Sequence, residues 1–168
     1  MGLEFFAAVS APGYLATYAY YFFPLSRSVV TFPAGTSAFL FTAAATASMV
    51  DPSSVSTLDA GSPVSLGDTG LVYAIVVDCQ GHAAPGVQFT TDEPGVGNFG
   101  GSALGLTEAN GVAVFAGDPL INGNGSLGVP AGNLQLTATV PALGKTIGQV
   151  TVYVQPGGWT TLQLGPQP

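Results

Sequence analysis

Three side chains that could do chemistry lie within five residues of one another: Asp78, Cys79 and His82. A structural zinc site takes about four ligands, and the chain has no second cysteine or histidine to complete one. A hydrolytic triad would need Asp78 to orient His82 toward a serine nucleophile, and no nucleophile-elbow motif is present. The spacing therefore favours a solvent-facing turn over a catalytic or metal site. We predict that the protein is not an enzyme.

The other reactive residues give equally weak patterns. Asp92 and Glu93, with Asn98 nearby, could bind Ca²⁺, but they lack the alternating oxygen ligands of a strong site. The glycine-rich run at residues 95–100 precedes no predicted helix, so it does not indicate a nucleotide site. Lys145 falls in a predicted turn, where it cannot form the Lys–Asn isopeptide bond of pilin-like sandwiches. The sequence predicts no cofactor and no metal. It also predicts that Cys79 is a small buried side chain at a strand end, with a reactive thiol as the alternative.

Composition excludes several classes of partner. Charged residues make up 7% of the chain, and two basic side chains, Arg27 and Lys145, face nine acidic ones for a net charge of −7. A nucleic-acid surface needs several Lys or Arg to displace counterions, so nucleic acid is excluded, as is electrostatic attachment to anionic lipid. A surface with so few charges suits packing against copies of the same chain, or a coat of glycans.

Period-two alternation dominates the C-terminal part. Apolar residues alternate with polar ones over residues 133–140, 149–155 and 161–164, and each segment ends at Gly or Pro. Together with apolar runs at 71–77, 87–91 and 112–115, they predict about six strands. We therefore expect an all-β fold, an Ig-like antiparallel β-sandwich over residues 67–168.

Residues 1–66 form the second predicted region. The aromatic-rich stretch around Pro12-Gly13 predicts two strands rather than a membrane span, because that turn interrupts the apolar run. Residues 36–49 are alanine-rich and predict one short helix that ends at Asp51-Pro52. A Ser/Thr/Pro linker follows.

The main sandwich resembles the carboxypeptidase regulatory-like domains, of the type found in large exported proteins of bacteria such as myxobacteria. The matching motifs are Asp78-Cys79-Gln80-Gly81, Ala84-Pro85-Gly86-Val87, Thr107-Glu108-Ala109-Asn110-Gly111 with Phe115, Gly132-Asn133-Leu134, and a closing hairpin at residues 156–162. The resemblance implies a transthyretin-like (prealbumin-like) fold and a non-catalytic module located outside the cell or on its surface. Residues 2–23 resemble the end of a second such domain.

These observations favour a structural subunit that assembles into a fibre, coat or surface layer. The candidate assembly surface consists of N-terminal aromatic residues: Phe5, Phe6, Tyr14, Tyr18, Tyr20 and Phe22. The alternative is a cell-surface adhesion or carbohydrate-binding module that uses the loops at residues 92–106 and 117–132. In that case Trp159 and the tyrosines would stack against a glycan, although burial of these rings is favoured.

Overall fold

The computed structural model describes residues 5–21, 42, 66–98, 106–117 and 128–165. Ten strands lie in this part of the chain: β1 (Phe5–Val9), β2 (Thr17–Tyr21), β3 (Thr69–Val76), β4 (Gln88–Thr91), β5 (Val96–Asn98), β6 (Val112–Gly117), β7 (Val129–Pro130), β8 (Gly132–Val140), β9 (Lys145–Val154) and β10 (Trp159–Leu164). A single 3-10 turn at Pro141–Leu143 joins β8 to β9. The predicted helix at residues 36–49 falls outside the described residues, Thr42 excepted.

The strands form two sheets. The larger one has the order β1-β2-β10-β3-β6-β5, with β7 added beside the start of β3, and the smaller one has the order β4-β8-β9. The inner faces pack together through alternate residues such as Val72 and Val76 of β3 and Leu136 of β8. The predicted all-β sandwich is thereby confirmed. The alternation predicted it correctly because one face of each strand of the small sheet must enter this core.

Strand pairing is antiparallel among the described strands with one exception. β10 lies between β2 and β3 and runs parallel to both. The expected closing hairpin at residues 156–162 is therefore wrong: β9 and β10 are consecutive but belong to different sheets. The turn crosses from one sheet to the other, where Gly157 (φ 70°) donates to the Thr69 carbonyl and Leu71 donates to the Gly158 carbonyl. A crossing turn and a hairpin turn use the same Pro-Gly residues, so sequence alone did not distinguish them.

The two predicted N-terminal strands are present. β1 and β2 pair antiparallel around a turn in which Tyr14 donates to the Ala11 carbonyl and Gly13 has φ of 81°. β2 then pairs with β10, so the strand pair extends the larger sheet. The division of the chain at residue 66 stays a prediction, because residues 22–41 and 43–65 lie outside the described part. No described helix is long and apolar enough to cross a membrane.

Candidate assembly edges

β1 forms one end of the larger sheet. The Trp159 amide donates to the Ala16 carbonyl at 2.8 Å, so the peptide groups of residues 16, 18 and 20 point toward β10. The peptide groups of the alternate residues of β2 then point toward β1 and form hydrogen bonds with it. These pairs are Thr17 with Val9, Ala19 with Ala7 and Tyr21 with Phe5. The peptide groups of Phe6 and Ala8 must therefore point outward. Within the described residues no strand pairs with them.

The outer edge of β1 lacks the features by which natural sheets discourage pairing. Its sequence is Phe-Phe-Ala-Ala-Val, without charge, proline or glycine. Edge strands that stay unpaired usually carry lysine, proline or a bulge, and an apolar edge without them accepts another strand. This edge is the candidate assembly site on the N-terminal strands.

The structure separates the residues of the predicted aromatic assembly surface. Tyr14 lies in the turn and is exposed, whereas Tyr18 is half-buried and Tyr20 is buried, both packed against the core between the sheets. For Phe5 and Phe6 the description covers the backbone in β1, and Phe22 lies outside it. The even spacing of Tyr18 and Tyr20 placed them on one strand face as predicted, but that face is the inner one.

Trp159 lies on the opposite face of the larger sheet. It has no exposed surface, and its ring meets that of Tyr73 edge-on at a centroid distance of 6.2 Å. Leu66, Leu71 and Val114 complete a second apolar cluster around it. An indole without accessible surface offers no face to a glycan.

A second long edge, β9, was not singled out by the sequence. The Tyr20 hydroxyl donates to the Tyr153 carbonyl at 3.1 Å, and the Thr160 hydroxyl donates to the same oxygen at 3.4 Å. The Tyr153 carbonyl therefore points away from β8, and by alternation so do the peptide groups of Thr151 and Gln149. A bond on the other side of β8 supports this pattern. The Gln135 amide points toward β4, where it donates to the Asp92 carboxylate at 2.8 Å, so it does not bond to Thr151, the residue opposite it in β9.

Beside this edge the sandwich is open. A cleft of ≈ 1010 Å³ is lined by the five residues Ile147 to Thr151 of β9 and by the ends of β3 and β10, with apolar walls such as Val76, Val87, Ala138 and Leu164. Within the described part of the chain, the small sheet has three strands and the larger one has seven, so the small sheet faces only part of the larger one. Sequence patterning could predict β9 itself, but an opening between two sheets has no local signal.

The Asp78 side chain closes the Asp78–His82 turn on itself. The Asp78 carboxylate accepts from the amides of Gln80 at 2.8 Å and His82 at 2.9 Å, and its second oxygen lies 3.7 Å from the His82 ring. The amides of His82 and then Gln80 hold the pKa of Asp78 below its ordinary value. Cys79 is exposed, so the expectation of a buried thiol was wrong, because the turn carries residue 79 out of the sheet.

Asp92 and Glu93 take part in hydrogen bonds at the end of β4. Asp92 extends the ladder beyond the end of β4, and the Glu93 carbonyl accepts a bond from the Thr91 hydroxyl at 3.1 Å. No group of three or more His, Cys, Asp or Glu that could hold a metal occurs in the described ranges.

Comparison with known proteins identifies no family: no family model matches the chain, and no curated protein matches it significantly. The resemblance to the carboxypeptidase regulatory-like domains stays a prediction.

Proposed function

We propose that this protein is a non-catalytic structural subunit that assembles with copies of itself, and that β1 is the strand through which it does so. The observation that carries the proposal is the apolar outer edge of β1, with outward peptide groups at Phe6 and Ala8. Support also comes from the composition, since only 7% of the residues are charged.

The proposed location is outside the cell or on its surface, in a fibre, coat or layer. Its support is the resemblance to domains of exported bacterial proteins. Detection of the protein on intact cells by an antibody, with loss after brief surface proteolysis, would test this location. An antibody signal that appears only after the cells are lysed would count against this location.

The assembly proposal is tested with Ala8→Pro. Proline removes the outward amide of Ala8 without removing a bond between β1 and β2, because the Ala8 peptide groups point away from β2. The matched control is Ala8→Thr, which keeps the amide and suits a strand. Light scattering over a range of concentrations should show large particles for the unmodified chain and for Ala8→Thr, and monomers for Ala8→Pro. A monomeric unmodified chain at every concentration would refute the proposal.

Deletion of residues 1–25 is a poorer test. It would also remove Tyr20 and Thr17, which are buried, and would expose the edge of β10 that β2 covers. Loss or gain of assembly in such a variant would report on a new edge as well as on the lost one.

One observation favours a carbohydrate-binding module as the second candidate. The outer face of the small sheet carries hydroxyl and amide side chains on all three strands, such as Thr90 of β4, Thr137 of β8 and Gln149 of β9, with the half-exposed ring of Tyr153 beside them. Neutral polysaccharides are bound by such amide and hydroxyl groups together with an aromatic ring. Retention on insoluble polysaccharides that Tyr153→Ala abolishes and Tyr14→Ala leaves intact would support this candidate.

A further inference from the structure

We propose that the β9 edge, over Gly148 to Thr151, is the acceptor for β1 of a second copy, with the two strands parallel. This inference rests on the proposed function and names the surface that β1 binds. The occupant of the cleft beside β9 is then a segment of the same protein.

Length is the first argument. Among the described strands five have one neighbour in their sheet: β1, β4, β5, β7 and β9. β5 has three residues and β7 has two, and β4 has four, of which Gln88 is already bridged to Leu106, whereas β9 has ten. The C-terminal end of β9 is closed by the bonds from Tyr20 and Thr160 to Tyr153. Between the bulge at Ile147 and this closed end, Gly148 to Thr151 form a regular stretch that can pair with four residues of β1.

The pattern of peptide groups is the second argument. When Ala8 lies opposite Val150, it lies between Gln149 and Thr151, on the regular part of β9 that follows the bulge at Ile147. In a parallel pair, a residue whose peptide groups face the partner strand bonds the two residues that flank its opposite number. Ala8 faces outward, and Gln149 and Thr151 face outward from β9, so this register satisfies the requirement. A shift by one residue would place outward groups opposite each other and break the pattern.

Charge complementarity is the third argument and sets the direction. Lys145, one of two basic residues in the chain, opens β9, and Glu4 immediately precedes β1 in the sequence. Parallel pairing brings these opposite charges to the same end of the joint. Antiparallel pairing would separate them by about seven residues, or about 23 Å. The rest of both segments is uncharged. Lys145 and the bulge at Ile147 lie at the N-terminal end of β9, outside the stretch Gly148 to Thr151 that the pairing uses.

The cleft beside β9 would give an added β1 strand an apolar environment. β1 consists of apolar residues, and one face of a strand added at β9 would cover the walls formed by Val76, Val87 and Leu164. Because the donor strand and the acceptor edge are different surfaces, the contact is head-to-tail. Such contacts build rings or open filaments rather than closed two-fold dimers.

Two variants of the full chain test the assignment when they are mixed. Ala8→Pro blocks the donor, and Gln149→Pro blocks the acceptor by removing an outward amide of β9. Each alone should be monomeric. An equimolar mixture should give dimers and nothing larger, because one intact donor and one intact acceptor remain. Gln149→Thr is the control and should assemble like the unmodified chain. Circular dichroism and a thermal melt establish that each variant is folded.

Charge reversal gives a second measurement that does not depend on proline. Lys145→Glu and Glu4→Lys should each raise the concentration for half-assembly by about 2- to 5-fold at low salt, and the double reversal should restore it. Failure of the double variant to recover would overturn the parallel direction.

The results separate this inference from the proposed function. If the unmodified chain never assembles, both fail. If it assembles and Ala8→Pro abolishes assembly while Gln149→Pro does not, β1 remains the assembly strand and β9 is not its acceptor. If Gln149→Pro alone forms dimers, β1 pairs with β1 of another copy, and the head-to-tail contact is refuted.

Discussion

The hydroxyl of Tyr20 in β2 donates a hydrogen bond to the backbone carbonyl of Tyr153 in β9, 3.1 Å away. The bond joins the N-terminal strands to the edge of the opposite sheet and satisfies a carbonyl that β8 does not reach. It also divides β9 into a closed C-terminal end and an open stretch beside the cleft.

Removal of that hydroxyl should weaken the fold. Tyr20→Phe should lower the free energy of unfolding by about 0.5–1.5 kcal/mol, because the buried ring stays but the bond is lost. Urea unfolding measures the change. Tyr14→Phe is the control, since Tyr14 is exposed, and it should change nothing. Equal loss in both variants would show that the bond contributes no stability.

Trp159 should report its burial directly, because it is the only tryptophan in the chain. Its fluorescence should be blue-shifted and resist quenching by acrylamide until the protein unfolds. Trp159→Ala should cost about 3–5 kcal/mol of stability through the cavity it leaves. Ready quenching in the folded protein would contradict the burial and would reopen a ligand-stacking role.

Two buried threonines should respond in opposite ways to the same change. Among the described residues the Thr17 hydroxyl has no hydrogen-bond partner, whereas the Thr107 hydroxyl donates to the Ala84 carbonyl at 2.9 Å and accepts from the Val87 amide at 3.0 Å. Thr17→Val removes an unsatisfied group and should stabilise the protein by about 1 kcal/mol, and Thr107→Val should destabilise it by about 1–3 kcal/mol. Thermal melts of the two variants provide the comparison. A loss of stability in Thr17→Val would mean that this hydroxyl is bonded.

Alanine substitutions at two turn glycines with positive φ should destabilise the protein by different amounts. Gly81 (φ 82°) has open space where a Cβ would lie, whereas a Cβ on Gly111 (φ 68°) would collide with the Val76 carbonyl oxygen. Gly81→Ala should cost about 1–2 kcal/mol for the left-handed backbone alone. Gly111→Ala should cost clearly more, since the backbone of β3 must also move. Chemical denaturation of both variants gives the difference, and equal costs would refute the steric contribution.

Acid should weaken the Asp78 turn. The amides of His82 and Gln80 lower the pKa of Asp78 in the folded state. Folding therefore favours the ionised carboxylate over the protonated one. The resulting stability is complete above the unfolded pKa of about 3.9 and is lost as the pH falls through the lower folded value. Asp78→Asn should flatten the dependence of the urea midpoint on pH below about 4. An unchanged profile would show that the turn does not couple to folding.

Strand β8 and the turn at Asp78 were both predictable from the sequence. The alternation of Leu134, Leu136 and Ala138 with polar neighbours predicted β8 and its buried face, because a strand exposes alternate side chains to opposite environments. The turn at Asp78–Gly81 followed from residues that favour turns. The position of Cys79 was missed, since exposure at a strand end depends on where the neighbouring strands stop.

The amino-acid sequence by itself determined the all-β class, the limits of most strands and the low-charge surface, because these depend on periodicity, turn residues and composition. The tertiary structure decided which strands are neighbours. It placed β10 parallel between β2 and β3, turned Tyr18 and Tyr20 inward, buried Trp159 and, among the described strands, gave β1 and β9 one neighbour each. Strand order joins residues far apart in the chain, and no local pattern encodes it, because the same alternating strand can fit several places in a sheet.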